Sequence, residues 1–107
     1  MAAAQYSVYI TAPDRDVALR IARTLVEEKL AACANILGPM TSVYRWEGRV
    51  MEEGEVALIT KTSGRRLAEL MARAKAIHPY QVPCIVAWPI ETGHQPYLDW
   101  IETETRI

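Results

Sequence analysis

Of the four cysteine and histidine side chains, the types that most readily hold a metal or turn nucleophilic, three are candidates for such chemistry: Cys33, His78 and Cys84. His78 and Cys84 bracket its most distinctive stretch, His78-Pro79-Tyr80-Gln81-Val82-Pro83-Cys84. Imidazole and thiolate are competent ligands for zinc or copper, and thiolates favour the softer Cu(I) and Zn ions. The two cysteines lie 51 positions apart and form no CxxC pair, so a buried structural cysteine competes with any ligand role. His78 precedes a proline at a helix terminus, where dipole capping competes with ligation. Lys61 follows the apolar run VALIT; it can reach an anionic ligand in a cleft or be a solvated strand end. His94, after Gly93, reads as loop and is given no role. Glu52, Glu53 and Glu55 cluster around Gly54, and adjacent carboxylates on an exposed arm need not form an acid/base pair, so they are assigned to solvent.

Enzymatic signatures are missing. There is no GxSxG elbow, phosphate loop, GxGxxG fingerprint or HExxH helix, and Asn35, the only asparagine, has no glycine-rich anion cradle for acyl phosphate chemistry. A non-enzymatic protein is expected.

The elements that must position these groups follow from pattern. Of 107 residues half are hydrophobic and 23% charged, enough for one core, so residues 1–107 are read as a single domain. A net charge of -1 supplies no field for a polyanion, and no apolar stretch is long enough to span a membrane. With no basic region in MAAAQYS and no disulfide framework, a cytoplasmic location is expected, without nucleic-acid or membrane partners.

QYSVYITA, Gln5 to Ala12, is β-branched and aromatic and predicts a strand that stops at Pro13. Asp14 can cap a helix whose apolar stripe runs Val17, Ala18, Ile21, Ala22, Leu25, Val26, Leu30. Ala32 to Trp46 and Arg49 to Thr62 read as extended arms joined by a Glu47-Gly48 turn. Ser63 is the expected cap of a second helix through Leu67, Leu70, Met71, Ala74 and Ile77, ending near His78-Pro79. PCIVAWP, Pro83 to Pro89, predicts a final core strand, and Tyr97, Leu98, Trp100 and Ile101 a short C-terminal helix. Strand, helix, strand, strand, helix, strand is the ferredoxin-like βαββαβ order, an α+β sandwich. RNA-binding domains share it, but this chain has no Phe and VALITKT lacks their basic and aromatic pattern.

The hairpin argues for an assembly. Fully extended, Ala32 to Trp46 reaches on the order of 45 to 50 Å, against a diameter of roughly 35 Å for a compact domain of this length. Either Gly38 and Pro39 bend it back, or its tip, with Val43, Tyr44, Trp46 and Val50, rests on a neighbouring subunit; the neighbour is favoured over a satellite core within one chain. In the ferredoxin-like order the second and fourth strands are opposite edges, about 14 Å apart, too far for Cys33 and Cys84 to bridge within one subunit.

Six segments, VYITAPD, ARTLVEEKLAACANI, SVYRWEGRV, ALITKT, HPYQVP and YLDW, resemble in order and over nearly the whole chain the CutA family of divalent-cation tolerance proteins. The resemblance implies a ferredoxin-like subunit in a homotrimer with the architecture of PII signalling proteins. It implies a link to copper or another divalent metal as bound ion, with Cys33 and His78 as candidate ligands at or near subunit interfaces. It also implies an inter-subunit cleft with Trp46, Lys61, Tyr80, Tyr97 and Trp100 as candidate small-ligand residues. The family usually reads HPYEVPE where Gln81 and Cys84 stand here; losing two carboxylates weakens a hard-cation site, while the Cys84 thiol adds a soft ligand. The expected function is a trimeric, non-enzymatic protein of divalent metal tolerance. The alternative is a PII-like signalling or scaffold module whose clefts take a small anion or a protein partner.

Overall fold

Alternation sets the first strand, β1 (Gln5–Ala12): Val8, Ile10 and Ala12 turn into the core while Ser7 and Tyr9 face the other way. A computed structural model describes residues 4–107 of the chain. Helix α1 (Arg15–Glu27) begins where Asp14 accepts a hydrogen bond from the Val17 amide at 2.9 Å, and it buries Ala18, Ile21, Ala22 and Leu25. Leu30, predicted as the last residue of its stripe, lies beyond the helix. The chain stops the helix with Lys29 in the left-handed region (φ 61), the Lys29 amide donating to Val26 O and the Leu30 amide to Leu25 O. This is a Schellman closure, which still tucks Leu30 against the core beside Leu25.

Strands β2 (Cys33–Trp46) and β3 (Arg49–Ser63) form the long hairpin, closed by Glu47 and Gly48 at positive φ, the geometry that matches strand twist. The arm does not fold back. Gly38 and Pro39 instead make a bulge: Leu37 stands opposite Ala57 and Met40 opposite Glu55, so β2 carries one extra residue. Gly38 has φ 138 and its would-be Cβ lies 3.3 Å from Val56 Cα, so a side chain there meets backbone. The body is 44 × 27 × 22 Å. At the tip Val43 and Val50 are 66% and 65% exposed, so no satellite core forms within the chain.

Helix α2 (Leu67–Ile77) has Arg66, not Ser63, at its N-cap. Ser63 is the last residue of β3 and its hydroxyl accepts from Thr105 at 3.0 Å, while buried Arg66 donates to the Lys29 and Glu28 carbonyls and to Glu69. β4 (Ile85–Pro89) pairs with β1 as an edge strand, and α3 (Gln95–Glu104) ends the fold. The sheet order is β2-β3-β1-β4, antiparallel throughout, the ferredoxin-like arrangement. β4 is less buried than its sequence predicts: Val86 and Trp88 are 45% and 52% exposed, because no helix covers their face.

That asymmetry organises the molecule. One face packs Val8, Ile10, Val56 and Leu58 under α1 and α2. The other is open, apart from one end where Leu98 and Ile101 of α3 pack with Ala32 and Ile90. Strand pairing lays the open face out in rows: Cys33, Lys61, Ser7, Trp88, then Asn35, Ile59, Tyr9, Val86, then Leu37, Ala57, Thr11 with Cys84 beside it. Toward the hairpin the same face continues as Met40 and Glu55.

Candidate functional site

Two groups of polar and aromatic side chains stand at opposite ends of the open face. The first is built around Cys33 at the start of β2. Its neighbour across the ladder is Lys61, placed there by the 61-to-33 register, and α3 brings Tyr97 over it. Cys33 Sγ and Tyr97 Oη share a hydrogen bond of 3.4 Å, and the Tyr97 ring stacks on Trp100 at 5.6 Å between centroids. The thiol contact, then burial and the charge of Cys33, push the Tyr97 phenol up to about 12. At neutral pH the phenol keeps its proton, and either group can donate in the contact with Cys33. Trp88 packs edge-on against Tyr9 at 5.7 Å on the far side of Lys61.

The second group surrounds the loop after α2. His78 is buried, with Nε2 2.7 Å from Thr11 O, and Nδ1 accepts from the Tyr80 amide at 3.1 Å. A carbonyl on one side and an N–H on the other fix the neutral ring with its proton on Nε2. Binding a metal at either nitrogen means giving up a backbone hydrogen bond. Nor does the ring cap α2: its partner is the end of β1. Tyr80, its ring 4.8 Å from that of His78, donates to Glu55 Oε2 at 3.0 Å, and Tyr44 donates to Glu53. Burial first, then the Glu55 contact, push the Tyr80 phenol up to about 12. Cys84 is an exposed free thiol whose pKa is raised by partial burial and by Glu55, against a lowering contact from Thr11, so it stays protonated at neutral pH.

Glu53 and Glu55, read from sequence as solvated, are instead phenol acceptors. The two-residue turn held the signal: it sets Trp46 opposite Arg49, hence Ser42 opposite Glu53, and leaves Tyr44 the diagonal neighbour of Glu53.

One chain thus gathers Cys33, Lys61, Tyr97 and Trp100 at one end, and His78, Tyr80 and Cys84 at the other. Trp46 joins neither; it is at the hairpin tip, thirteen residues along β2 from Cys33, about 43 Å at strand rise. Cys33 and Cys84 are both free and lie on opposite edges and in different rows. Among the described residues no group of three or more His, Cys, Asp or Glu is placed to hold a metal ion. Nor is any helix among them long and apolar enough to cross a membrane. A hollow of about 340 Å³ beside the bulge, lined by Pro13, Ile36 and Val56 among others, is touched by Glu55 alone of the residues in the two groups.

The sequence profile of the CutA1 divalent ion tolerance protein family matches residues 6–104. The divalent-cation tolerance protein CutA of Thermus thermophilus is 51% identical over 98 residues, covering 92% of this chain and 95% of that protein. The Protein CutA homolog of Xenopus laevis is 43% identical over 95 residues, 89% of this chain but only 63% of that longer relative. The solved structure of the periplasmic divalent cation tolerance protein CutA from Archaeoglobus fulgidus superposes with a TM-score of 0.92 at 45% identity, covering 95% of this chain and 99% of that one. A match over nearly the whole fold, on the same hairpin and the same loop that carry the two groups described above, places the chain: it belongs to the CutA1 divalent ion tolerance protein family.

Proposed function

We propose that this member acts, without catalysis, as a homotrimer that binds copper or a related divalent metal at or near its subunit interfaces. One observation carries the reading: the candidate groups lie at separate ends and edges of a single uncovered face, so a second copy is needed to bring them together. Cys33 lies on the β2 edge of the sheet and Cys84 precedes the β4 edge, so the two thiols of one chain stay apart and only a neighbouring copy can bring one to the other. Two thiols suit a soft ion, and the Tyr97 hydroxyl lies within hydrogen-bond distance of the Cys33 sulfur, where it can orient the ligand. His78 is the weaker candidate, being engaged by backbone on both nitrogens. Free thiols fit a reducing compartment, so the proposed location is the cytoplasm, although the Archaeoglobus relative is described as periplasmic. Titration of Cu(I), Cu(II) and Zn(II) into the wild type and Cys33→Ala tests the metal reading. The substitution is expected to lower stoichiometry or affinity; identical isotherms refute the role of Cys33.

Lys61 favours a second reading, a PII-like signalling or scaffold module. It is half-buried among Cys33, Ser7 and aromatic rings and joins none of the ion pairs among the described residues, as a cleft for a small anion requires. A metal-independent thermal shift with inorganic phosphate that disappears in Lys61→Ala distinguishes it.

A further inference from the structure

The open face carries opposite charges at its two ends, and neither joins an ion pair among the described residues. Lys61 sits in the row of Cys33, Ser7 and Trp88. Glu53 and Glu55 stand on the same strand and the same face toward the hairpin, because they are an even number of residues away. Both carboxylates accept from phenols, and among the described residues neither has a cationic partner. Six residues part Lys61 from Glu55, about 20 Å along the strand, so the two cannot meet within one chain.

A face with a cation at one end, carboxylates at the other and mostly apolar rows between, broken by Asn35 and Thr11, is complementary to a copy of itself set head to tail. We infer that Lys61 of one copy pairs with Glu55 of the next. Tyr80 holds Glu55 by Oε2 and leaves Oε1 free for an incoming ammonium group. The intervening Leu37, Ile59, Tyr9 and Val86 supply apolar surface that excludes water as the faces close, which strengthens the pair and fixes the register of the contact. Each copy then gives Lys61 to one neighbour and Glu55 to the other, a contact that closes as a ring. The inference rests on the trimeric reading above and assigns to a neighbouring carboxylate the counter-charge that the small-anion reading leaves to a ligand.

Charge reversal tests it. Sedimentation velocity under reducing conditions over a range of concentrations compares the wild type with Lys61→Glu, Glu55→Lys and the double reversal. Each single reversal is expected to raise the concentration at which the assembly half-dissociates by about 30-fold or more, and the double reversal to recover most of that loss. Should a reversal compromise folding by circular dichroism, Lys61→Met, Glu55→Gln and their combination give the same comparison, since glutamine still accepts from Tyr80; the pair then shows as non-additivity. A wild type that sediments as a single 12.0 kDa particle overturns the trimeric reading itself. A stable wild-type trimer in which the paired substitutions behave additively overturns only the Lys61–Glu55 pairing. So does a Lys61→Met protein that assembles normally but loses phosphate binding.

Discussion

His78 separates a structural role from a ligand role. Replacing it with alanine removes a buried ring and strands two backbone groups, the Thr11 carbonyl at 2.7 Å and the Tyr80 amide at 3.1 Å. A buried polar group left without its partner costs about 1 to 3 kcal/mol, so two of them together cost about 2 to 6 kcal/mol. The same change frees the loop that aims Tyr80 at Glu55. With a slope of roughly 3 kcal/mol/M for a chain of this size in guanidinium chloride, the midpoint should fall by about 1 M. The assay is equilibrium unfolding at one fixed protein concentration, since stability of an oligomer depends on concentration, with a chelator present throughout. Under those conditions a ligand contributes nothing, and the loss must come from the buried ring and its hydrogen bonds. An unchanged midpoint in chelator, together with lost metal binding, would refute the structural account and restore His78 as a ligand. Cys33→Ala is the control with the opposite signature: altered metal binding with little change in midpoint.

Two further predictions concern stability. Tyr80 and Tyr97 are both held up at about 12, while an unfolded tyrosine titrates near 10. Raised phenols favour the protonated folded form, so their contribution is complete below pH 10 and is lost as pH climbs through 12; urea unfolding from pH 9 to 12 should decline over that window and flatten in Tyr80→Phe/Tyr97→Phe. Lys29 holds a left-handed conformation (φ 61) that glycine adopts freely, so Lys29→Gly should stabilise the chain by about 0.5 to 1 kcal/mol after the greater freedom of unfolded glycine is allowed for; a lower thermal midpoint would show that the lysine stem packs usefully against the α1 terminus.

The fold was legible where one periodicity governed a whole element. QYSVYITA alternates and is β1 from its first to its last residue; Asp14 and the 3.6-residue stripe locate α1. Sequence reading went astray where a different interaction claimed the same residue. Leu30 continues the helical stripe in sequence yet leaves the helix, because a lysine rather than glycine performs the left-handed turn and gives no local sign of it. Ser63 looks like a cap but is spent on Thr105, a partner 42 residues away that no local pattern reveals. PCIVAWP looks like a core strand because apolar residues fill both of its faces, whereas only one face meets helices.

The same cause explains why the site was only half legible. Residue type nominated Cys33, His78 and Cys84, but whether a nitrogen or sulfur is available depends on what else bonds to it, and that is set by register and packing. His78 is claimed by Thr11 and Tyr80, Cys33 by Tyr97, and Glu55 by Tyr80. Of the charged groups on the open face, Glu53 and Glu55 read as solvated and Lys61 alone as a binding candidate, and the meaning of Lys61 came from the row it occupies rather than from its neighbours in sequence. Among the described residues, a half-exposed Trp88, a lysine without an acid and two acids without a base share one sheet face, and these are the features on which the inferred contact between copies rests. The hairpin adds the physical reason: it carries Glu55 about 20 Å along β3 from Lys61, so the pairing inferred above takes each missing charge from a second copy.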